Sequence, residues 1–279
     1  MKKILVPTDF SEGSMIATDY AIAIAEMINA SIVFLHITVT PLDWVSLPLE
    51  KEKLYPETRA EVNTAKRKLQ ELENYAQSKG ISAQTSLKFN KSREDLEEHT
   101  QNKEYELVVM GSHGANGIRE YVIGSNAQKV IRNSAVPVLV VKTRPDSFDI
   151  KRIAFASNFE DSQMPSFQKV LSFAENFSSA IHLLYVNTPY YFKETGEMEY
   201  LLQSFCENFS NITFQPHIYD AYNEERGITA FMEDKNIDLL AIATEGKSGL
   251  KQLVSPSLSE SLINHLDKPI LTINFSKIG

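Results

Sequence analysis

The strongest constraint on the fold of this 279-residue chain is that its second half restates its first. Ile4-Leu5-Val6-Pro7-Thr8-Asp9-Phe10 returns as Ile153-Ala154-Phe155-Ala156-Ser157-Asn158-Phe159, and the run from Ile32 to Ile37 returns from Ile181 to Val186. Leu107 to Pro137 then aligns with Leu239 to Pro269 without a gap. Self-similarity on this scale calls for two copies of one structural unit rather than one large sheet. The second copy is shorter mainly because it lacks most of the 39–58 segment. Between the copies, Thr143 to Ile150 is polar and proline-marked, which places a first domain at 1–143, a linker at 144–150 and a second domain at 151–279.

Within the first copy, short apolar runs alternate with amphipathic stretches. Strands are expected at Lys3 to Val6, Ser31 to Thr38, Ser82 to Lys88, 107–110 and Val138 to Lys142. Helices are expected from about Glu12 to Met27, where Ala17, Ala21, Ile22, Ile24 and Ala25 share a face, at Arg59 to Ser78 ending near Gly80, at Ser92 to about Gln101, and at Ser125 to Asn133. Strands separated by helices imply a parallel sheet covered on both faces. A formal net charge of −8 argues against general nucleic-acid binding, since a phosphate backbone demands a basic face. The single cysteine, Cys206, leaves no internal disulfide and suits a reducing compartment. No run approaches the roughly 20 apolar residues of a membrane helix, so the expectation is a cytoplasmic chain with no membrane partner.

One stretch carries the chemistry: Gly111-Ser112-His113-Gly114, nine residues, then Gly124-Ser125. It lies between the apolar run Leu107-Val108-Val109-Met110 and a helical pattern. Glycines let backbone approach phosphate oxygens closely, and a helix start offers unpaired N–H groups and a partial positive charge to an anion. Plainer readings exist. Asp9-Phe10-Ser11-Glu12 and Ser125-Asn126-Ala127-Gln128 both have capping-box spacing, so Asp9 and Ser125 could serve only to cap helices. The repeat separates the readings. In the second copy Asn158 and Ser257 keep the capability to cap, whereas Asp9 has become Asn158, Gly111 Ala243 and Gly124 Pro256. Proline has no N–H to donate, so the first half reads as a competent nucleotide site and the second as degenerate. His113 is a candidate phosphate contact, and Arg119 in the same loop is either a phosphate partner or solvated surface.

These residues closely resemble the universal stress protein family, whose nucleotide-binding members carry Gly, two residues, Gly, nine residues, Gly-Ser/Thr. Gly111, Gly114, Gly124 and Ser125 match that pattern, as do Val6 to Ser11, Leu35-His36-Ile37 and Pro137 to Val141. The resemblance implies an α/β fold of two tandem flavodoxin/Rossmann-like domains, each a five-stranded mostly parallel sheet with helices on both faces. It also implies an ATP site at the switch between the first and fourth strands. By resemblance, Pro7, Thr8, Asp9 and Ile37 hold adenine and ribose. Met110, Gly111, His113 and Gly114 lie along ribose and α-phosphate, and Gly124, Ser125 and Asn126 cap the outer phosphates. Mg²⁺ or Mn²⁺ would bridge the phosphates, held mainly by ligand and water.

Subunits of the family pair through their last strands. Here Val138 to Val141 would pair with Ile270 to Ile273 inside one chain as a pseudo-dimer, with a homodimer of whole chains left open. The catalytic inventory is thin. There is no Gly-x4-Gly-Lys-Ser/Thr, no Gly-x-Ser-x-Gly and no His-Glu-x-x-His, and Glu120 is the one carboxylate in the loop. The expected function is an ATP-binding stress or energy sensor. A slow ATPase or adenine-nucleotide hydrolase and a nucleotide-free scaffold remain as alternatives.

Overall fold

A computed structural model describes residues 2–41, 43–90, 96–101, 103–113, 123–144, 148–209, 212–244, 256–274 and 276. The first half supplies strands Lys3–Pro7 (β1), Ser31–Val39 (β2), Ala83–Asn90 (β3), Leu107–Gly111 (β4) and Val138–Val141 (β5). The second supplies Arg152–Ala156 (β6), Ala180–Asn187 (β7), Phe214–Asp220 (β8), Leu239–Thr244 (β9) and Ile270–Asn274 (β10). Their spatial order is β3-β2-β1-β4-β5-β10-β9-β6-β7-β8, one ten-stranded sheet in which each half repeats the same doubly wound order. Within each half every pairing is parallel. At the seam β5 and β10 run antiparallel, with Val140 opposite Ile270, Leu139 opposite Leu271 and Val138 opposite Thr272. The two last strands thus meet as the family resemblance implied.

The inner strands are largely apolar without alternation because both faces of the sheet are covered, whereas the edge strands β3 and β8 are more polar and partly exposed. Ile4, Val6, Val109 and Leu139 enter one core, while Leu5, Val108, Met110 and Val140 enter the other. Both cores run on into the second half, through Phe155 and Leu183 on one face and Ala154 and Leu184 on the other.

The helices are Glu12–Ile28 (α1), Leu49–Glu52 (α2), Pro56–Ser78 (α3), Leu96–Thr100 (α4), Ser125–Asn133 (α5), Met164–Glu175 (α6), Thr195–Glu207 (α7), Glu224–Asp234 (α8) and Pro256–His265 (α9). Among the described residues none is long and apolar enough to cross a membrane. Several boundaries differ from expectation for physical reasons. α3 starts at Pro56 rather than Arg59, since proline in a first turn has no N–H that needs a partner. The proline-marked segment before it contains the short α2 and the buried Trp44, which packs edge-on against Tyr55. The expected helix over Ser92 to Gln101 is described only at Leu96–Thr100, because 91–95 lie outside the described residues. The joining segment is tied to the first half. Arg144 pairs with Asp19 at 2.9 Å, Phe148 meets Tyr20 edge-on, and Ile150 is buried.

Candidate functional site

The C-terminal ends of β1 and β4 lie side by side, so a crevice opens where the strand order reverses. The turn after β1 is built from its own side chains. Thr8 N–H donates to the Leu35 carbonyl at 2.8 Å, and Thr8 Oγ1 accepts from Phe10 N–H at 3.1 Å. Asp9 Oδ1 accepts from Ser11 N–H at 3.0 Å. These bonds hold Phe10 at φ 64°, a left-handed backbone that non-glycine residues seldom adopt. The Phe10 ring rests on His36, with centroids 4.4 Å apart, and Lys68 Nζ lies 5.1 Å from its centre. His36 Nδ1 is 2.7 Å from the Thr8 carbonyl, which can only accept, so Nδ1 carries the proton. Burial is the main influence on His36 and lowers its pKa below the ordinary value of 6.5.

Asp9 therefore does not cap the first helix. Ser11 is the cap, its Oγ accepting from Ser14 N–H at 3.3 Å. The second half builds the same turn bond for bond. Ser157 N–H donates to the Leu184 carbonyl, Phe159 N–H to Ser157 Oγ, Glu160 N–H to Asn158 Oδ1, and Phe159 has φ 57°. Asn158 likewise closes the turn rather than capping, since α6 starts only at Met164, after a single 3-10 turn from Asp161 to Gln163. A neutral amide does this structural work as well as a carboxylate. The charge of Asp9, exposed at the crevice, is surplus to the turn.

Gly111 has a packing role that the spacing did not reveal. A Cβ there would stand 2.7 Å from both the carbonyl carbon and oxygen of Gly13, and a Cβ on Gly13 would stand 2.5 Å from the His113 carbonyl oxygen. The pair lets the first turn of α1 lie directly on the end of β4. Gly13 went unnoticed in the sequence, although a glycine in the first turn of an alanine-rich helix is costly unless something packs against it. A cleft of about 620 Å³ opens here, lined by Ser11, Glu12 and Gly13 of the α1 start, by Ser112 and His113 after β4, and by Val141 and Lys142. His113 Nδ1 lies 2.8 Å from Ser112 Oγ.

At the far side of the glycine loop, Gly124 is the N-cap of α5, with φ −60° and ψ 142° and no side chain to cap with. The capping box expected at Ser125 is thus not formed: Ser125 is the first helical residue. Gly124 N–H donates to the Ser112 carbonyl at 2.9 Å, which ties the helix start to the cleft. The donors left for an anion are those of the following residues, and Ser125 and Asn126 are exposed. The structure thus gathers Pro7 at the end of β1, Thr8 and Asp9 after it, Ile37 on β2, Met110, Gly111 and His113 at β4, and Gly124, Ser125 and Asn126 at α5 around one sheet end. Two side chains point away from it. Met110 is buried in the core, and the Thr8 hydroxyl is spent within the turn, where it donates to Ser14 Oγ at 3.1 Å. Gly114, Arg119 and Glu120 lie outside the described residues.

A doubly wound sheet with a glycine-lined crevice at its switch point defines a flavodoxin-like α/β protein, here duplicated. The chain belongs to the universal stress protein family, whose family model matches residues 1–142 and 213–274. It is 33% identical over 143 residues to universal stress protein MJ0531 of Methanocaldococcus jannaschii, covering 50% of this chain and 82% of that one. Universal stress protein Slr1230 of Synechocystis is 25% identical over 300 residues, covering 98% of this chain and 99% of the relative. Among solved structures, a universal stress protein from Archaeoglobus fulgidus superposes with a TM-score of 0.76 at 19% identity, over 98% of both chains. The functionally unknown protein PA1789 from Pseudomonas aeruginosa gives 0.66 at 16%, over 100% of this chain and 94% of that one. At these identities the structural matches speak to the fold.

Proposed function

We propose that the first half binds ATP across the crevice between β1 and β4, and that the chain uses its occupancy to sense stress or energy state. The observation that carries this reading is the start of α5. A glycine stands at its N-cap, among the described residues no side chain is bonded to its first donors, and its anchor is a bond to the cleft wall at Ser112. An uncapped helix start beside a cleft is suited to phosphate oxygens. Asp9 supplies a carboxylate to accept from ribose hydroxyls, beside Pro7, Thr8 and Ile37 at the base. Met110 and Gly111 contribute backbone, with His113 and Gly114 along the α-phosphate. Gly124, Ser125 and Asn126 lie at the outer phosphates.

Glu12 and Lys142 line the same cleft, so phosphate charge meets one like and one unlike partner there. Mg²⁺ or Mn²⁺ on the phosphates would offset the first. In the second half α9 begins with Pro256 in place of Gly124, which removes the N–H that in the first half ties the helix start to the cleft wall at Ser112. That half is read as degenerate.

The test is the nucleotide content of protein purified without added ligand, by anion exchange after denaturation. Near-stoichiometric ATP that disappears in Gly124→Pro supports a binding protein that hydrolyses slowly. Recovered ADP or AMP moves the reading to an ATPase or adenine-nucleotide hydrolase. Protein that is empty and refuses added ATP overturns the reading and leaves a nucleotide-free scaffold.

A further inference from the structure

The helix that begins at Gly124 is held along its length by the second half. At its start the buried Ile123 N–H donates to Asn264 Oδ1 at 2.7 Å. Along its side Gln128 and Arg132 both reach the Glu260 carboxylate. At its end the Arg132 carbonyl accepts from Asn274 Nδ2 at 2.6 Å. Asn264 also acts through its backbone: its carbonyl accepts from Lys142 Nζ at 2.5 Å, and Lys142 lines the cleft. One residue of the second half therefore touches the cleft's environment at two points.

The bond to Ile123 is the one that bears on a ligand. Ile123 N–H is fixed on Asn264, and the next N–H, that of Gly124, is fixed on Ser112 at 2.9 Å. Two consecutive peptide groups are thus anchored on opposite supports, one in each half. Together with the Gly124 backbone angles of −60° and 142° they fix how the chain enters α5, and with it the direction in which the N–H groups of Ser125 and Asn126 point. A donor that swings away from the line to its acceptor loses strength steeply, so the anchor governs how well an anion is held.

The repeat makes the arrangement one-sided. In the gap-free alignment of the halves, Asn264 stands where the first half has Arg132. Arginine carries no acceptor, so a partner with that side chain at this place could not receive Ile123 N–H. The two halves are not interchangeable supports for each other.

We propose that Asn264 is a positioning residue for the phosphate end of the first half's site, and that the second half is a built-in partner setting ATP affinity. The proposal rests on the ATP reading above. It is tested in the full-length chain by measuring ATP and adenosine affinity together with exchange of the Ile123 amide. Asn264→Leu removes the acceptor at similar size. It is expected to free the Ile123 amide for exchange and weaken ATP about tenfold, the scale of losing one buried hydrogen bond, with adenosine unchanged. Asn264→Asp keeps an acceptor and is expected to keep the amide protected, which also serves if the leucine variant folds poorly. Glu260→Gln loosens the same helix away from the loop and is expected to leave ATP affinity as it was.

Equal ATP affinity in wild type and Asn264→Leu, or equal losses for ATP and adenosine, overturns the proposal while leaving the ATP site standing. A loss as large in Glu260→Gln overturns it too, by making the effect a general loosening of the seam. Wild-type protein that binds no ATP brings down the ATP reading, and this proposal with it.

Discussion

Replacing Gly111 by alanine is the sharpest test of how the crevice is assembled. The new Cβ would sit 2.7 Å from the carbonyl carbon and oxygen of Gly13, and 3.1 Å from its Cα. All three are backbone atoms, in the first turn of a helix whose same face continues into the core through Ile16, Ala17 and Tyr20. No rotamer change relieves the contact, so α1 must move off β4 by several tenths of an ångström or more. Overpacking of this kind costs about 1–3 kcal/mol, which corresponds to a melting shift of roughly 2–4 °C per kcal/mol in domains of 150–250 residues. Urea unfolding of wild type, Gly111→Ala, Gly13→Ala and the double variant measures it directly.

Both single variants are expected to lower the midpoint without changing the slope. The double should lose less than the sum, because one displacement of α1 makes room for both methyl groups. ATP affinity should fall in parallel, since Ser11 to Gly13 move away from His113. An unchanged midpoint in Gly111→Ala, or strict additivity in the double, would refute the close approach of the two backbones. Glycine at 111 would then have to be explained by the ligand alone.

Two further outcomes follow from the same geometry. Asp9→Asn is expected to leave thermal stability within about 0.5 kcal/mol, because Asn158 already closes the identical turn, while ATP affinity falls with the lost charge. Calorimetric binding alongside a melt checks both halves of that statement. For pH, His36, His182 and His217 all have pKa values lowered chiefly by burial. The unfolded chain therefore binds protons that the folded one refuses. Their stabilising effect is full above about pH 6.5 and is lost as the pH falls through the lowered folded values. Denaturation midpoints measured from pH 8 to 5 should drop, and drop less in His217→Gln.

Much of this was legible in the sequence, for reasons tied to particular residues. Runs such as Leu107 to Met110 announce strands covered on both faces, and the repeat carries the strand order of one half to the other. The pairing of Val138 to Val141 with Ile270 to Ile273 followed from the family resemblance, in which subunits pair through their last strands. What the sequence concealed depends on backbone angles or on distance along the chain. Four-residue capping patterns do not reveal which residue turns extended, so Asp9 and Ser125 looked like caps when Ser11 and Gly124 hold those places. Gly13 meets Gly111 across the first crossover, and Asn264 meets Ile123 across the whole second half. No local pattern encodes either contact. The stretch from Thr143 to Ile150 reads as a linker because its composition is polar and proline-marked, and that composition does not show that Phe148 meets Tyr20 or that Ile150 is buried.

The seam between the halves also has a bearing on how the protein is made. Val138–Val141 is four buried aliphatic residues in a row, and β10 is what covers its open side. On a ribosome that edge emerges well over a hundred residues before Ile270 does, an interval on the order of ten seconds at typical elongation rates. For that time the nascent first half presents an unpaired, uncharged, β-branched edge, the kind that templates aggregation. A message cut short between the two halves would therefore yield more than half a binding protein. It would yield a sticky one.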